Sequence, residues 1–193
     1  MKEEKRPNII LFLADDMGFS DIGCYGSEIP TPSIDRMAAC GLRYTQMYSN
    51  ARCCPSRASL LTGLYPHQAG VGHMTGNIGI PEYQGYLNEN CLTLAEGLKN
   101  CGYRTGMVGK WHVGGEYGHR EEAGSIAGQE GYPTPLQRGF DRFYGTLEGA
   151  GNYYNPVTLT EDGKWLSVKP SEDFYYTEKI AEKSCEYIRQ FSG

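Results

Sequence analysis

Near the start of the chain the run Asn8-Ile9-Ile10-Leu11-Phe12-Leu13-Ala14 carries no polar side chain after its first residue, with Pro7 before it and Asp15-Asp16 after it. An apolar run without alternation suits a strand covered on both faces. Such strands belong to parallel sheets, where crossover helices do the covering. The run therefore points to an α/β fold, with an open, mostly parallel sheet between helical layers and ligand sites beyond the carboxyl ends of its strands. It is too short for a membrane span or the core of a signal peptide, so the chain as written reads as cytoplasmic, with no membrane partner.

The other elements follow from punctuation and period. Thr31-Pro32 suits a helix cap and first position, for a helix over residues 33–40 stopped by Gly41 and facing inward with Ile34, Met37 and Ala38. Leu42 to Tyr48 reads as a second strand. Pro55 suits the first position of a helix that Ser56 to Thr62 continue and Gly63 ends. A further helix runs from Thr93 to Asn100, with Gly102 as its stop.

Arg104 to Lys110 is the next strand, with Gly106 and Gly109 marking close backbone approach. Residues 113–156, rich in Gly, Pro and Tyr, read as long loops with at most a short helix. Val157 to Val168 alternates around Asp162-Gly163 and reads as a small surface hairpin. Thr177 to Phe191 is an amphipathic helix with Ile180, Ala181, Ser184, Ile188 and Phe191 facing in. Few strands in this series are core strands, so the sheet reads as the first part of a larger one.

Composition narrows the partners. The 193 residues carry a net charge of −5, and beyond residue 6 the Lys and Arg side chains form no run, so no nucleic-acid footprint exists. An anionic substrate must be drawn by a local site. The seven cysteines form no CxxC pair and leave an odd one, which indicates reduced thiols and neither a zinc ribbon nor a disulfide framework.

Three clusters stand at strand ends or helix starts: Asp15 with Asp16, Cys53 with Arg57, and Lys110 with His112. Adjacent carboxylates suit a hard cation such as calcium or magnesium; a cap with one solvated neighbour is the competing reading. Cys53 reads as a buried structural thiol or as a reactive one, and Arg52, Arg57 and a helix N-terminus favour the second by stabilising a thiolate. Lys110 and His112 share a side if the strand persists through them. His67, His73 and His119 sit in loops without a pattern, Cys54 reads as structural, and Tyr153-Tyr154 reads as packing or as a pocket wall.

The stretch Cys53-Cys54-Pro55-Ser56-Arg57-Ala58-Ser59-Leu60-Leu61-Thr62-Gly63 resembles the sulfatase signature, with Cys53 at the position of the cysteine that is oxidised to Cα-formylglycine. NIILFLADDMG resembles that family's opening strand with its metal-binding aspartates. Residues 109–114, GKWHVG, are similar to its lysine and histidine motif, and residues 135–145, PLQRGFDRFYG, are also sulfatase-like.

The resemblance implies an alkaline-phosphatase-like α/β/α sandwich and a sulfuric ester hydrolase acting on aryl or carbohydrate sulfates. Its nucleophile would be the hydrate of the Cys53 aldehyde, formed by a formylglycine-generating maturation enzyme. Asp15, Asp16 and Cys53 as formylglycine would hold Ca2+, or Mg2+ in its place. Arg57 would orient and neutralise the nucleophile, Lys110 would contact the diol and a sulfate oxygen, and His112 would take a proton as sulfate leaves.

Two other readings remain open from sequence: a related phosphoester or phosphonate monoester hydrolase, and a non-catalytic remnant of the fold. Sulfatases are considerably longer and draw further metal ligands, a His and a Lys from their second half, for which residues 1–193 hold no equivalent; Glu161-Asp162-Gly163 reads better as a turn. The expectation is an N-terminal portion of a sulfatase catalytic domain, inactive or nearly so alone. Many relatives are exported, in contrast to the cytoplasmic reading.

Overall fold

The structure, a computed structural model, describes residues 6–118, 126–169 and 173–192. It divides into two compact units, Met1–Tyr48 and Ser49–Gly193. His119 lies outside the described residues. No helix among the described residues is long and apolar enough to cross a membrane.

In the first unit the expected opening strand is not formed. Residues 8–14 carry no strand assignment and are exposed, Phe12 at 73%. An apolar run specifies a wish for burial, but a strand exists only when a neighbour completes its hydrogen-bond ladder. None of the described residues pairs with this run. The same holds for residues 42–48, where Leu42, Tyr44, Met47 and Tyr48 are exposed and no strand forms.

The expected helix is present as α1, Pro32–Cys40. Thr31 does not cap it by accepting from the first turn. Its hydroxyl instead donates to Asp35 Oδ1 at 2.9 Å and accepts the Gly23 N–H at 2.8 Å, while Asp35 Oδ1 also accepts the Cys24 N–H at 2.7 Å. The helix is thereby tied to the preceding loop through polar groups. Ile34 and Ala38 are half-buried, but Met37 is exposed, so the inward face is narrower than its period implied.

The second unit is built on a four-stranded sheet in the order β1 (Gly106–Val108), β2 (Arg142–Thr146), β3 (Leu159–Glu161), β4 (Lys164–Trp165). β1 and β2 are parallel; the two following pairs are antiparallel. Among the described residues the sheet is thus mixed, where a mostly parallel one was expected.

β2 falls where loops were expected, because Arg-Phe-Tyr-Gly-Thr shows no clean period. Its residues instead serve two different faces. Phe143, with Met107, Leu147 and Trp165, packs toward Cys54 and Ala58 of α2 (Cys53–Thr62). Tyr144, with Val108, Leu159 and Leu166, packs toward Tyr176, Ile180 and Tyr187 of the terminal helix. Helices therefore cover both faces of the sheet, the α/β/α layering expected from sequence.

The β3–β4 hairpin turns at Asp162 (φ 48°) and Gly163 (φ 79°), a two-residue loop with both residues left-handed, as type I′ requires. It is not a surface ribbon, since Leu159 and Thr160 are buried as the next strand of the sheet. The Asp162 carboxylate accepts from Arg142 Nε at 2.7 Å and from the Phe143 N–H at 2.9 Å.

The terminal helix, α4 (Tyr176–Phe191, after α3, Leu94–Asn100), is rotated from its expected phase. Tyr176 and Tyr187 are buried, whereas Ala181 and Ile188 are exposed. Two tyrosines, each with an apolar body and a polar tip, set that phase. The Tyr176 hydroxyl accepts the Thr146 N–H at 2.9 Å, and the Arg142 guanidinium lies 4.7 Å from the Tyr187 ring centre. Gly106 lets the helix approach, since a Cβ there would stand 2.8 Å from the Phe191 ring.

α3 begins with a capping box: Thr93 Oγ1 accepts the Glu96 N–H at 3.1 Å, and Glu96 Oε2 accepts the Thr93 N–H at 2.7 Å. Glu96 also pairs with Arg138 at 2.9 Å, and Asp141 pairs with Lys99 while accepting the Thr105 N–H at 3.0 Å. Burial opposes ionisation of both carboxyls, yet the hydrogen bonds from Arg138 and Thr93 to Glu96, and from Lys99 and Thr105 to Asp141, hold both below their ordinary pKa.

A depressed carboxyl stabilises the fold above its unfolded pKa, and that contribution is lost as pH falls through the lower folded value. Stability should therefore fall below about pH 4, where unfolded carboxyls titrate. The double substitution Glu96→Gln and Asp141→Asn should lower the melting temperature at neutral pH and flatten its decline toward acid. A melting series against pH reads both.

Candidate active site

The loop before α2 is fixed by Asn50, whose side chain donates to Ser59 Oγ at 2.9 Å and whose N–H donates to Ser56 Oγ at 3.0 Å. The helix begins at Cys53, two residues ahead of the position read from Pro55. Pro55 is still within the first turn, where its missing N–H has no intrahelical partner to lose. Gly63 ends the helix as expected, with φ 71° and its N–H on Ser59 O at 2.8 Å.

Cys53 is half-buried at the first helical position, and Cys54 beside it is fully buried. Burial, then the charge and hydrogen bond of Cys53, push the Cys54 thiol up to about 12, against the pull of Lys110 and Arg57. At neutral pH Cys54 is a protonated core thiol, in keeping with its structural reading. Of these two cations, Arg57 is the one that the sequence placed with Cys53, and Lys110 joins it from the Lys110–His112 cluster.

Arg57, one turn along α2, is buried and donates through Nη1 to the backbone carbonyl of Lys110. This bond fixes the segment after β1 against the helix that carries Cys53. The segment is delivered by backbone bonds past the end of β1: Gly109 N–H to Tyr144 O at 2.8 Å, Trp111 N–H to Thr146 O at 2.9 Å and His112 N–H to Leu147 O at 2.9 Å. Gly109 and Gly145 cross so closely that a Cβ on Gly145 would fall on the Gly109 carbonyl, the close approach that the glycines of RTGMVGK foretold. Trp111, fully buried, anchors the centre of the segment through its Nε1–H to Pro133 O at 2.9 Å.

His112 is buried with φ 57°, so the backbone has left the extended conformation there. Strand alternation therefore does not relate Lys110 and His112, since β1 ends at Val108. His112 nonetheless reaches the site: its ring nitrogen and the sulfurs of Cys53 and Cys54 lie within 4.8 Å of one another. Cys53, Arg57, Lys110 and His112 are thus gathered around the start of α2. Asp15 and Asp16 lie exposed in the first unit, Asp16 with φ 92°.

Sequence reasoning missed Gly149, which borders the imidazole. A Cβ at Gly149 would stand 2.6 Å from His112 Nδ1, so only glycine leaves the ring its place. Gly149→Ala should displace the buried His112 ring, lowering kcat by roughly 100-fold in any reaction that uses this imidazole, as expected of ångström-scale misplacement, and costing about 1–3 kcal/mol of stability through the forced contact. Steady-state kinetics beside a thermal melt check both.

The remaining histidines and tyrosines of the sequence reading stand elsewhere. His67 Nε2 is 3.1 Å from the Tyr83 hydroxyl, and His73 Nδ1 accepts the Met74 N–H at 2.7 Å. Tyr153 and Tyr154 are exposed and lie against Tyr175, with ring centres 6.2 and 5.5 Å apart.

Residues 7–192 match the family model for sulfatases. The chain belongs to the sulfatase family. It is 35% identical over 201 residues to the arylsulfatase of Klebsiella aerogenes, covering 97% of this chain and 40% of that protein. Human arylsulfatase A is 43% identical over 141 residues, 72% of this chain and 25% of that one. The sulfatase chain thus spans two-fifths or less of the length of these curated relatives.

Among solved structures, Ps i-CgsB superposes with a TM-score of 0.76 at 29% identity, over 96% of this chain and 42% of that one. BT4656, solved with its substrate D-glucosamine-2-N,6-O-disulfate, gives a TM-score of 0.70 at 32% identity, over 96% and 31% of the two chains.

Proposed function

We propose that this sulfatase chain carries the nucleophile end of a sulfuric ester hydrolase active on an aryl or carbohydrate sulfate. The observation that carries the reading is the Cys53 constellation: a half-buried thiol at the first position of α2, Arg57 bonded to the Lys110 carbonyl, and His112 against the same thiol pair. Arylsulfatase relatives and the sulfated sugar bound by BT4656 support the substrate class.

Cys53 is proposed to be converted to Cα-formylglycine by a maturation enzyme, and the hydrated aldehyde supplies the oxygen nucleophile that a thiol lacks. Within the site, Arg57 stabilises negative charge at the helix start, where unpaired N–H groups and the helix dipole also favour an anion. Lys110 binds a sulfate oxygen. His112, held in place by its backbone bond to Leu147, accepts a proton as sulfate departs.

Asp15 and Asp16 offer oxygen donors of the kind calcium or magnesium takes, so the carboxylate pair fits the metal that the family resemblance implies. Bound, such a cation supplies positive charge for stabilising developing oxyanions.

The test compares an aryl sulfate with the matching aryl phosphate on one preparation of the protein. Faster turnover of the sulfate ester supports this reading; faster turnover of the phosphate ester would move the chain to a phosphoester hydrolase, and no turnover of either in converted full-length protein would leave a non-catalytic fold.

A further inference from the structure

Cys54 has no part in the reaction proposed above, yet it completes a group of two sulfurs and an imidazole nitrogen within 4.8 Å. Zinc bonds thiolate sulfur at about 2.3 Å and imidazole nitrogen at about 2.0–2.1 Å in a tetrahedron, which spaces ligand atoms by less than about 4 Å. A trio already inside 4.8 Å needs only small side-chain rotations to close on an ion. Calcium is a poor occupant, since it takes six to eight oxygen ligands and this trio offers none. Softness of the donors therefore separates this group from the carboxylates of Asp15 and Asp16.

The geometry points to a second state of the site, in which the chain, before Cys53 is converted, holds a thiophilic divalent cation, zinc by its chemistry, on Cys53, Cys54 and His112. Binding forms two metal–sulfur bonds and one metal–nitrogen bond. Both thiol protons leave to solvent, water takes the fourth position, and no oxidant or reductant is consumed. The two thiolates offset the charge of the ion beside Arg57 and Lys110. Conversion of Cys53 to an aldehyde removes one sulfur, so occupancy and conversion exclude each other. The ion would thus guard the precursor thiol and delay maturation. This state does not depend on sulfate ester hydrolysis, so the two readings stand or fall separately.

The test uses protein made without a maturation enzyme and shown by mass to keep its Cys53 thiol. It is titrated with Cd2+ alone, followed by thiolate-to-metal charge-transfer absorbance, and then with Zn2+ as competitor. The expected result is saturation at one equivalent, displacement by Zn2+, and slower alkylation of Cys53 in the loaded protein.

Affinity should fall in Cys53→Ser and in Cys54→Ser by more than the roughly 10–100-fold that losing an outer-shell partner costs. It should be unchanged in Cys40→Ser, which alters an exposed thiol of the first unit. Absence of stoichiometric absorbance in the parent protein, or an unchanged titration in Cys53→Ser, would overturn the proposal. Should Cys54→Ser fail to fold, because Cys54 is wholly buried, Cys53→Ser and His112→Gln decide the matter.

Discussion

Relative to converted full-length protein with the proposed activity, Cys53→Ala is expected to abolish turnover of an aryl sulfate, with kcat falling by about 10⁶-fold, the scale on which enzymes lose rate when a covalent nucleophile is removed. The size follows from the position. Cys53 stands at the first residue of α2, and Arg57 holds the Lys110 segment against that point through Nη1. In the proposed reaction the surrounding groups bind an anion and move a proton, and neither act breaks an S–O bond without an attacking atom. Because Cys53 is half-buried while Cys54 fills the core beneath it, the alanine variant should keep its melting temperature within the range of a mild substitution, about 1 kcal/mol. Rate loss without loss of fold is the combination that steady-state kinetics and a melt should return.

The second large effect is on stability. Arg138, buried in the short turn Leu136–Arg138, gives Nε to Glu96 at 2.9 Å, Nη1 to the carbonyls of Leu87 and Asn88 at 3.3 and 3.2 Å, and Nη2 to the Cys91 carbonyl at 2.6 Å. One planar guanidinium with five donors thus joins the start of α3 to the loop before it and to the turn that leads into β2. Burial lowers its pKa and the bonds it donates to Glu96 and Cys91 raise it more, so the side chain stays charged.

Arg138→Met should cost about 3–5 kcal/mol in urea unfolding, because it removes the cation from Glu96, leaving that carboxylate with the Thr93 N–H, and takes the guanidinium donors from the carbonyls of Leu87, Asn88 and Cys91. Adding Glu96→Gln should recover part of that loss, as the uncompensated charge is then gone. A double variant no more stable than Arg138→Met alone would show that the carbonyls, and not the ion pair, carry the cost.

The sequence made the local parts of this architecture legible wherever the cause is local. Gly63 and Gly102 end helices, Asp162-Gly163 turns a hairpin, and Thr93 opens α3 because each depends on the backbone freedom or side chain of a few residues. Elements that need a distant partner were read less well. β2 is a strand through β1 and β3, and nothing in Arg-Phe-Tyr-Gly-Thr alone announces them. Residues 8–14 show the reverse, an unmistakable apolar run with no ladder among the described residues. The phase of α4 differs from its apolar period because Tyr176 and Tyr187 bury like apolar residues, with the Tyr176 hydroxyl on Thr146 and the Tyr187 ring against Arg142.

The candidate site divides in the same way. Cys53, Arg57, Lys110 and His112 were named from motif and position, and they meet around one helix start. His112 is brought in by a left-handed backbone and a bond to Leu147, not by the strand alternation that would place it beside Lys110. Gly149 escaped notice because its importance is an absence: the Cβ that it lacks.

Cys53 is proposed as the precursor of the working group. The most direct test is the mass of the proteolytic peptide that spans Cys53, from protein made in a host that matures sulfatases and shown to turn over an aryl sulfate. The expected peptide is lighter by one sulfur and two hydrogens and heavier by one oxygen than the encoded sequence. An active preparation in which that peptide keeps its thiol throughout would contradict that role.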